Sequence, residues 1–208
     1  HHPHMSTSTS PTTLPAAKPG RFLTFTLGKE SYGLPVLNVR EIIRICPITP
    51  VPTMPNHIKG VINLRGSVIA VVDLRAKFQL STGDYGDRAC IIVVQLSSPS
   101  GNKILMGAIV DAVEEVIQIG QETIEPPPDF GGAPDTQYIL GVATAQGGVK
   151  TLLNIERIFL QEAALQQSIE AGSPAQDVMR VTLEKTFLEQ RSVTQTTSLK
   201  LDSPAQLF

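Results

Sequence analysis

Residues able to do acid, base, nucleophilic or metal chemistry are few in this chain and poorly spaced for it. His57 follows Pro55-Asn56 and is the only histidine outside the opening "HHPHM". No Ser or Cys nucleophile motif accompanies it, so it reads as a histidine in a surface turn. Cys46 and Cys90 have neither CxxC spacing nor a histidine-rich neighbour, which argues against a metal or redox centre. Two unpaired thiols point instead to a reducing, cytoplasmic setting. Glu114 and Glu115 are adjacent, so they project to different faces of a helix and do not share a proton. "DFGGAP" (Asp129 to Pro134) superficially matches a kinase magnesium motif, but "EPPP" before it makes it a loop and the rest of a kinase is missing. With no GxGxxG and no P-loop there is no phosphate cradle. The expectation is a protein with no catalytic site, no metal and no cofactor.

The charges that remain of interest lie in "GVINLRGSVIAVVDLRAKF", Gly60 to Phe78. This apolar, β-branched run is broken twice by Leu-Arg, placing Arg65 beside Gly66 and Arg75 after Asp73. An internal repeat separates structural from functional readings here. "YGLPVLNVREIIRI" (Tyr32 to Ile45) aligns with "MGAIVDAVEEVIQI" (Met106 to Ile119), matching Gly33 with Gly107, Val39 with Val113 and Glu41 with Glu115. The opening run aligns with "GVATAQGGVKTLLNIERIF" (Gly141 to Phe159), matching Gly60 with Gly141, Gly66 with Gly147 and Phe78 with Phe159.

Gly66 therefore reads as a turn glycine with positive φ. Asp73 and its counterpart Asn154 both read as caps of a following helical turn. Gly60, Gly107 and Gly141 are read as structural turn positions on the same ground. Arg75 becomes Glu156, so the fold requires no charge of one sign there. Arg65 becomes Gln146, which makes Arg65 a charge the fold does not require and a candidate for partner contact. A solvated turn arginine is the plainer alternative.

The elements that must position these residues are short. "RFLTFTL" alternates as a half-buried strand, and Gly28 supplies a hairpin turn. "ACIIVVQL" and "NKILMGAIV" read as strands joined by Ser97 to Asn102. Val39, Ile42 and Ile43 fall at helical spacing, so a short helix or helical turn is expected in each barrel, in the first over Leu37 to Ile43, bounded by Pro35 and Pro47. Close-spaced strands broken by Gly and Pro imply two small antiparallel barrels with a groove between them. At about 60 residues each buries only about 60% of its unfolded surface alone, so packing of the two is expected. Residues 21–80 would form the first repeat and 81–160 the second, with exchange of strands between barrels left open. Ile155, Ile158, Phe159, Ala163 and Leu165 predict a C-terminal helix ended by Gly172 and Pro174. Ala175 to Arg191 holds a second amphipathic segment, and the remaining residues read as a tail.

Residues 1–20 read as a tag remnant and a disordered Ser/Thr/Pro arm. A net charge of −2 with no basic cluster, and only 5% aromatics, argue against nucleic-acid binding. No apolar run approaches the roughly 20 residues of a membrane helix.

Taken together, "YGLPVLNVREIIR", "ITPVPTMPNHIKGVINLRGSVIAVVDLRAKF", "GAIVDAVEEVIQI", "IEPPP" and "YILGVA" resemble the chemotaxis coupling proteins of the CheW type. The resemblance runs from about Phe22 to Phe159. It implies two SH3-like barrels and an adaptor that links chemoreceptors to the chemotaxis histidine kinase in a signalling array. It extends equally to coupling proteins of pilus-driven twitching motility. The family's receptor-contacting NLRG motif matches Asn63 and Arg65, and its V-x-E motif, which contacts the kinase's regulatory domain, matches Val39 and Glu41. The implied receptor partner is a cytoplasmic helical tip laid in the inter-barrel groove, with Arg65 at the rim.

Overall fold

In the computed structural model of the chain, residues 20–80, 83–98, 100–120, 124–126, 138–145, 148–171 and 198–200 are described. The expected arm and tag remnant, the segment Ala175 to Arg191, the "DFGGAP" loop and the pair Gln146-Gly147 lie outside these residues. Alternating apolar residues and Gly28, at φ 61°, form the first hairpin from β1 (Gly20–Leu27) and β2 (Glu30–Pro35). β1 is buried on both faces rather than half-buried, with Phe22, Leu23, Phe25 and Leu27 all in the core. Its one interior hydroxyl, on Thr24, donates to the Glu115 carbonyl at 3.0 Å and accepts from the Glu115 amide at 3.2 Å, filling a bulge.

The helix expected over Leu37 to Ile43 is only a 3-10 turn, Val36–Asn38, followed by β3 (Val39–Arg44), and the helix expected around Glu114 and Glu115 is likewise a strand, Ala112–Ile119. Three β-branched residues at helical spacing also suit a strand buried on both faces. Ile42 enters one apolar cluster and Ile43 the other, as alternation demands. The remaining strands are β4 (Ile58–Leu64), β5 (Ser67–Asp73), β6 (Cys90–Ser97), β7 (Lys103–Val110), β8 (Ala112–Ile119), β9 (Ile124–Glu125), β10 (Ile139–Ala145), β11 (Gly148–Leu153) and β12 (Ser198–Lys200). Helical turns α1 (Leu74–Lys77) and α2 (Ile155–Ile158) close the two repeats, and α3 (Leu160–Ala171) follows as the expected C-terminal helix.

Two six-stranded sheets result, ordered β8-β1-β2-β11-β10-β9 and β12-β3-β6-β7-β5-β4. The repeat makes the logic of this order visible. β1, β2, β3, β4 and β5 correspond to β6, β7, β8, β10 and β11. Each repeat gives its first hairpin to the sheet built by the other, a symmetric exchange. The exchange also produces one parallel pair per sheet, β2 with β11 and β5 with β7, within an otherwise antiparallel fold. Parallel neighbours need a long connection, and the exchanged hairpins supply it.

Gly33 and Gly107, matched in the repeat, sit at equivalent points of these parallel pairs. Gly33 lies opposite Leu152 and Gly107 opposite Val71. A β-carbon on Gly33 would stand 2.9 Å from the Leu152 side chain, and one on Gly107 2.9 Å from that of Ile91. Gly107 thus serves close packing inside a strand, not a turn. Gly60 is likewise not in a turn but at a bulge of β4, and its backbone at φ 142° passes so close to the Thr49 carbonyl that no side chain fits. Gly141 occupies the matching bulge of β10.

The core follows the sheets. Ile43, Ile62, Ile69, Val71, Ile91 and Val93 fill the inside of one sheet, and Phe22, Ile119, Ala143 and Leu152 that of the other. A third, larger cluster lies between them and takes Leu23, Phe25 and Leu34 from one sheet and Ile92, Val94 and Met106 from the other. β6 therefore buries both faces, which accounts for its unbroken "CIIVV". Helix α3 is tied on by Gln166. Its amide nitrogen donates to the Val68 carbonyl at 2.8 Å and its oxygen accepts from the Ala70 amide at 3.2 Å, where β5 has no parallel partner.

Candidate functional site

β4 and β5 are joined by two residues, Arg65 and Gly66, with φ of 50° and 87°. Two successive positive φ values give the mirror-image turn that suits the twist of a tight hairpin. Gly66 accepts this freely, as its sequence position predicts. Asn63 locks the turn from one side, its Oδ1 accepting from the Gly66 amide at 2.9 Å. Arg65 does not accept it freely, because a non-glycine residue in the left-handed region costs about 1 kcal/mol or more. An asparagine or glycine would serve the turn better.

The guanidinium of Arg65 reaches across to β3, where Nη1 and Nη2 donate to Oε1 and Oε2 of Glu41 at 2.6 and 2.7 Å. This two-pronged geometry matches the planar fork to the carboxylate. The Glu41 side chain is only 4% exposed, whereas that of Arg65 is 59% exposed. The carboxylate therefore anchors the arginine from below, and its hydrogen bonds raise the guanidinium's pKa. Because β3 and β4 lie toward opposite ends of their sheet, the pair also spans the curled sheet from one side to the other.

Val39, two residues before Glu41, is partly buried at the start of β3. The 3-10 turn before it is pinned by Asn38, whose Nδ2 donates to the Gln95 carbonyl at 3.2 Å. That turn presents Leu37, 95% exposed, to solvent. The four residues expected to meet partners thus lie on one sheet, with Glu41 and Arg65 in contact and Val39 packed against the cluster between the sheets. Val39 and Glu41 come from β3, Asn63 and Arg65 from the hairpin. The Glu41 contact is the part sequence reasoning missed, since no local spacing links positions 41 and 65.

At the other end of β5 the second arginine is used differently. Asp73 caps α1, accepting from the Arg75 amide at 2.9 Å, and Asn154 caps α2 by accepting from the Arg157 amide at 3.3 Å. Arg75 itself is buried. It pairs with Asp73 at 3.2 Å and Asp111 at 3.2 Å, donates to the Gly83 carbonyl, and lies over the Tyr85 ring at 4.6 Å. The Tyr85 hydroxyl donates to Asp73 at 2.9 Å. Burial, then the bond to Asp73, push the Tyr85 phenol up to about 12. The network joins α1, the segment near Gly83 and the β7–β8 corner.

Among the described residues no catalytic arrangement is seen. His57 is not a solvated turn residue: its Nε2 lies 2.8 Å from Oε1 of buried Glu162, which also accepts from Lys77. Glu114 pairs with buried Lys150 at 3.1 Å and accepts from Ser31, a strut within the first sheet. Burial raises both thiols, Cys90 to about 11, so neither is poised as a nucleophile. Among the described residues no cluster of three or more His, Cys, Asp or Glu could hold a metal, and no helix is long and apolar enough to cross a membrane.

A cavity of about 360 Å³ lies where the repeats meet, lined by Tyr32, Phe78, Tyr138, Leu153 and Ile158 among others. Neither Arg65 nor Asn63 lines it, so Arg65 does not stand at the rim of this cavity. The length of β5 separates them, about 20 Å at the usual rise per residue.

Comparison with known proteins agrees with this frame. Residues 21–163 match the family described as the CheW-like domain. The chemotaxis protein CheW of Klebsiella aerogenes is 35% identical over 141 residues, covering 68% of this chain and 82% of its own. Protein FrzA of Myxococcus xanthus is 31% identical over 150 residues, 71% of this chain and 89% of its own. The crystal structure of the scaffolding protein TtCheW from Thermoanaerobacter tengcongensis superposes with a TM-score of 0.60 at 35% identity, covering 68% of this chain and 92% of that one. With a family domain spanning most of its length and two exchanged sheets built around it, the chain belongs to the CheW-like family.

Proposed function

We propose that this chain is a non-catalytic adaptor that couples chemoreceptors to the chemotaxis histidine kinase within a cytoplasmic signalling array. The observation that carries the reading is the Arg65–Glu41 fork. A strained turn arginine, anchored on a buried carboxylate and still 59% exposed, is a pre-positioned donor for a partner. In this reading Asn63 and Arg65 meet the helical receptor tip, and Val39 and Glu41 belong to the face that meets the kinase's regulatory domain. The contact between the two motifs makes those faces neighbours, so a receptor and a kinase domain would be held side by side on one sheet. Catalysis stays with the kinase.

Reconstitution tests this. The purified chain should bind both the kinase and a receptor fragment and raise receptor-stimulated phosphorylation of the kinase. Failure to bind either partner would reject the proposal. A Glu41→Lys variant should weaken kinase binding, and it should also disturb Arg65, because the new ammonium replaces its carboxylate with a like charge. Unchanged affinity for both partners would remove Glu41 from the site.

A further inference from the structure

The matched family domain ends at residue 163, yet the second sheet continues with a strand from much farther along the chain. β12 runs antiparallel to β3, setting Ser198 opposite Ile43, Leu199 opposite Ile42 and Lys200 opposite Glu41. Without it β3 would be an edge strand, presenting a row of backbone N–H and C=O groups that any extended segment can pair with. β3 is also the strand that carries Val39 and Glu41.

We propose that residues 198–200 are a self-supplied strand that caps the β3 edge and competes with the kinase for this side of the sheet. The inference rests on the reading of Val39 and Glu41 as kinase-contacting residues. Three properties suit the segment to this use. It adds to the sheet through its backbone, the mode by which extended peptides add to exposed sheet edges. It is only three residues long, so it contributes few hydrogen bonds and leaves readily. It is tethered through residues 172–197, ample chain to return it to the edge at high effective concentration. A docked tail lowers the fraction of molecules competent to bind, and apparent affinity falls in proportion.

Consecutive strand amides point to opposite sides, so in a double variant Ser198→Pro/Leu199→Pro one of the two prolines must remove a donor facing β3. This variant and a chain ending at Thr197 should each bind the kinase's regulatory domain about threefold to tenfold more tightly than the full chain. Hydrogen exchange without kinase should show faster exchange over Glu41 to Arg44 in both. Unchanged exchange would overturn docking of the tail. Faster exchange with unchanged kinase affinity would overturn the competition. If no form of the chain binds the kinase domain, the adaptor reading fails and the competition with it, while exchange still reports docking. Protection that grows with protein concentration would assign the strand to a second copy and overturn the intramolecular assignment.

Discussion

Two arginines stand at opposite ends of β5, and their surroundings give them opposite uses. Arg65 sits on a turn with its fork on Glu41 and most of its side chain in solvent. Arg75 is enclosed by Asp73, Asp111, the Gly83 carbonyl and the Tyr85 ring, with 7% of its side chain exposed. Both follow a leucine and both pair with a buried carboxylate. The difference lies in what the remaining donors face. Those of Arg75 are consumed within the chain and join three segments. The side chain of Arg65 is instead 59% exposed on its anchor, at the cost of a strained backbone. An enclosed charge with its partners in place is costly to remove, and one that is anchored but exposed is the better candidate for contact with another molecule.

Substitution should separate the two. Arg75→Ala removes the cation from a buried network and should lower unfolding stability by about 3 kcal/mol, since the carboxylate of Asp73 stays buried. Chemical denaturation measures this, and a loss below about 1 kcal/mol would place Arg75 with ordinary surface charges. Arg65→Gln should cost about 1 kcal/mol, because the fork is half in water although its partner is buried. A double-mutant cycle with Glu41→Gln should recover a coupling of similar size, and zero coupling would mean that the pair does not anchor the arginine.

The smallest effect concerns pH. Tyr85 stays protonated in the folded chain to about 12, against an ordinary 10.0. Its contribution to stability is therefore complete below about pH 10 and is lost as pH rises through about 12. Tyr85→Phe should flatten this part of the stability profile, and an unchanged alkaline slope would show that the phenol is not held by Asp73.

Much of this was legible in the chain. The matching of Asp73 with Asn154 identifies both caps, and "NLRG" marks the hairpin turn. Local chemistry of this kind is written within a few residues. The exchange of hairpins was not, because pairing β2 with β11 or β5 with β7 depends on residues far apart in sequence. β3 is not legible as a strand because one buried on both faces loses its alternation, leaving Val39, Ile42 and Ile43 to imitate a helical stripe. The repeat marks Gly107 as a turn residue, whereas the crowding by Ile91 and Val71 that requires a glycine there comes from neighbouring strands. Nothing local assigns Arg75, as its partners Asp111, Gly83 and Tyr85 come from later segments. The Arg65–Glu41 contact was hidden for the same reason, although the repeat had already marked Arg65 as dispensable to the fold by placing Gln146 at its counterpart.

The most direct measurement is the affinity of a helical chemoreceptor-tip fragment for the wild-type chain and for Arg65→Gln, each shown by its unfolding curve to be folded at the temperature used. Loss of a charge-assisted hydrogen bond of about 1.5 kcal/mol or more predicts a drop of at least about tenfold for the variant. Equal affinity of the two proteins would contradict the account, leaving Arg65 as a turn residue that serves only Glu41.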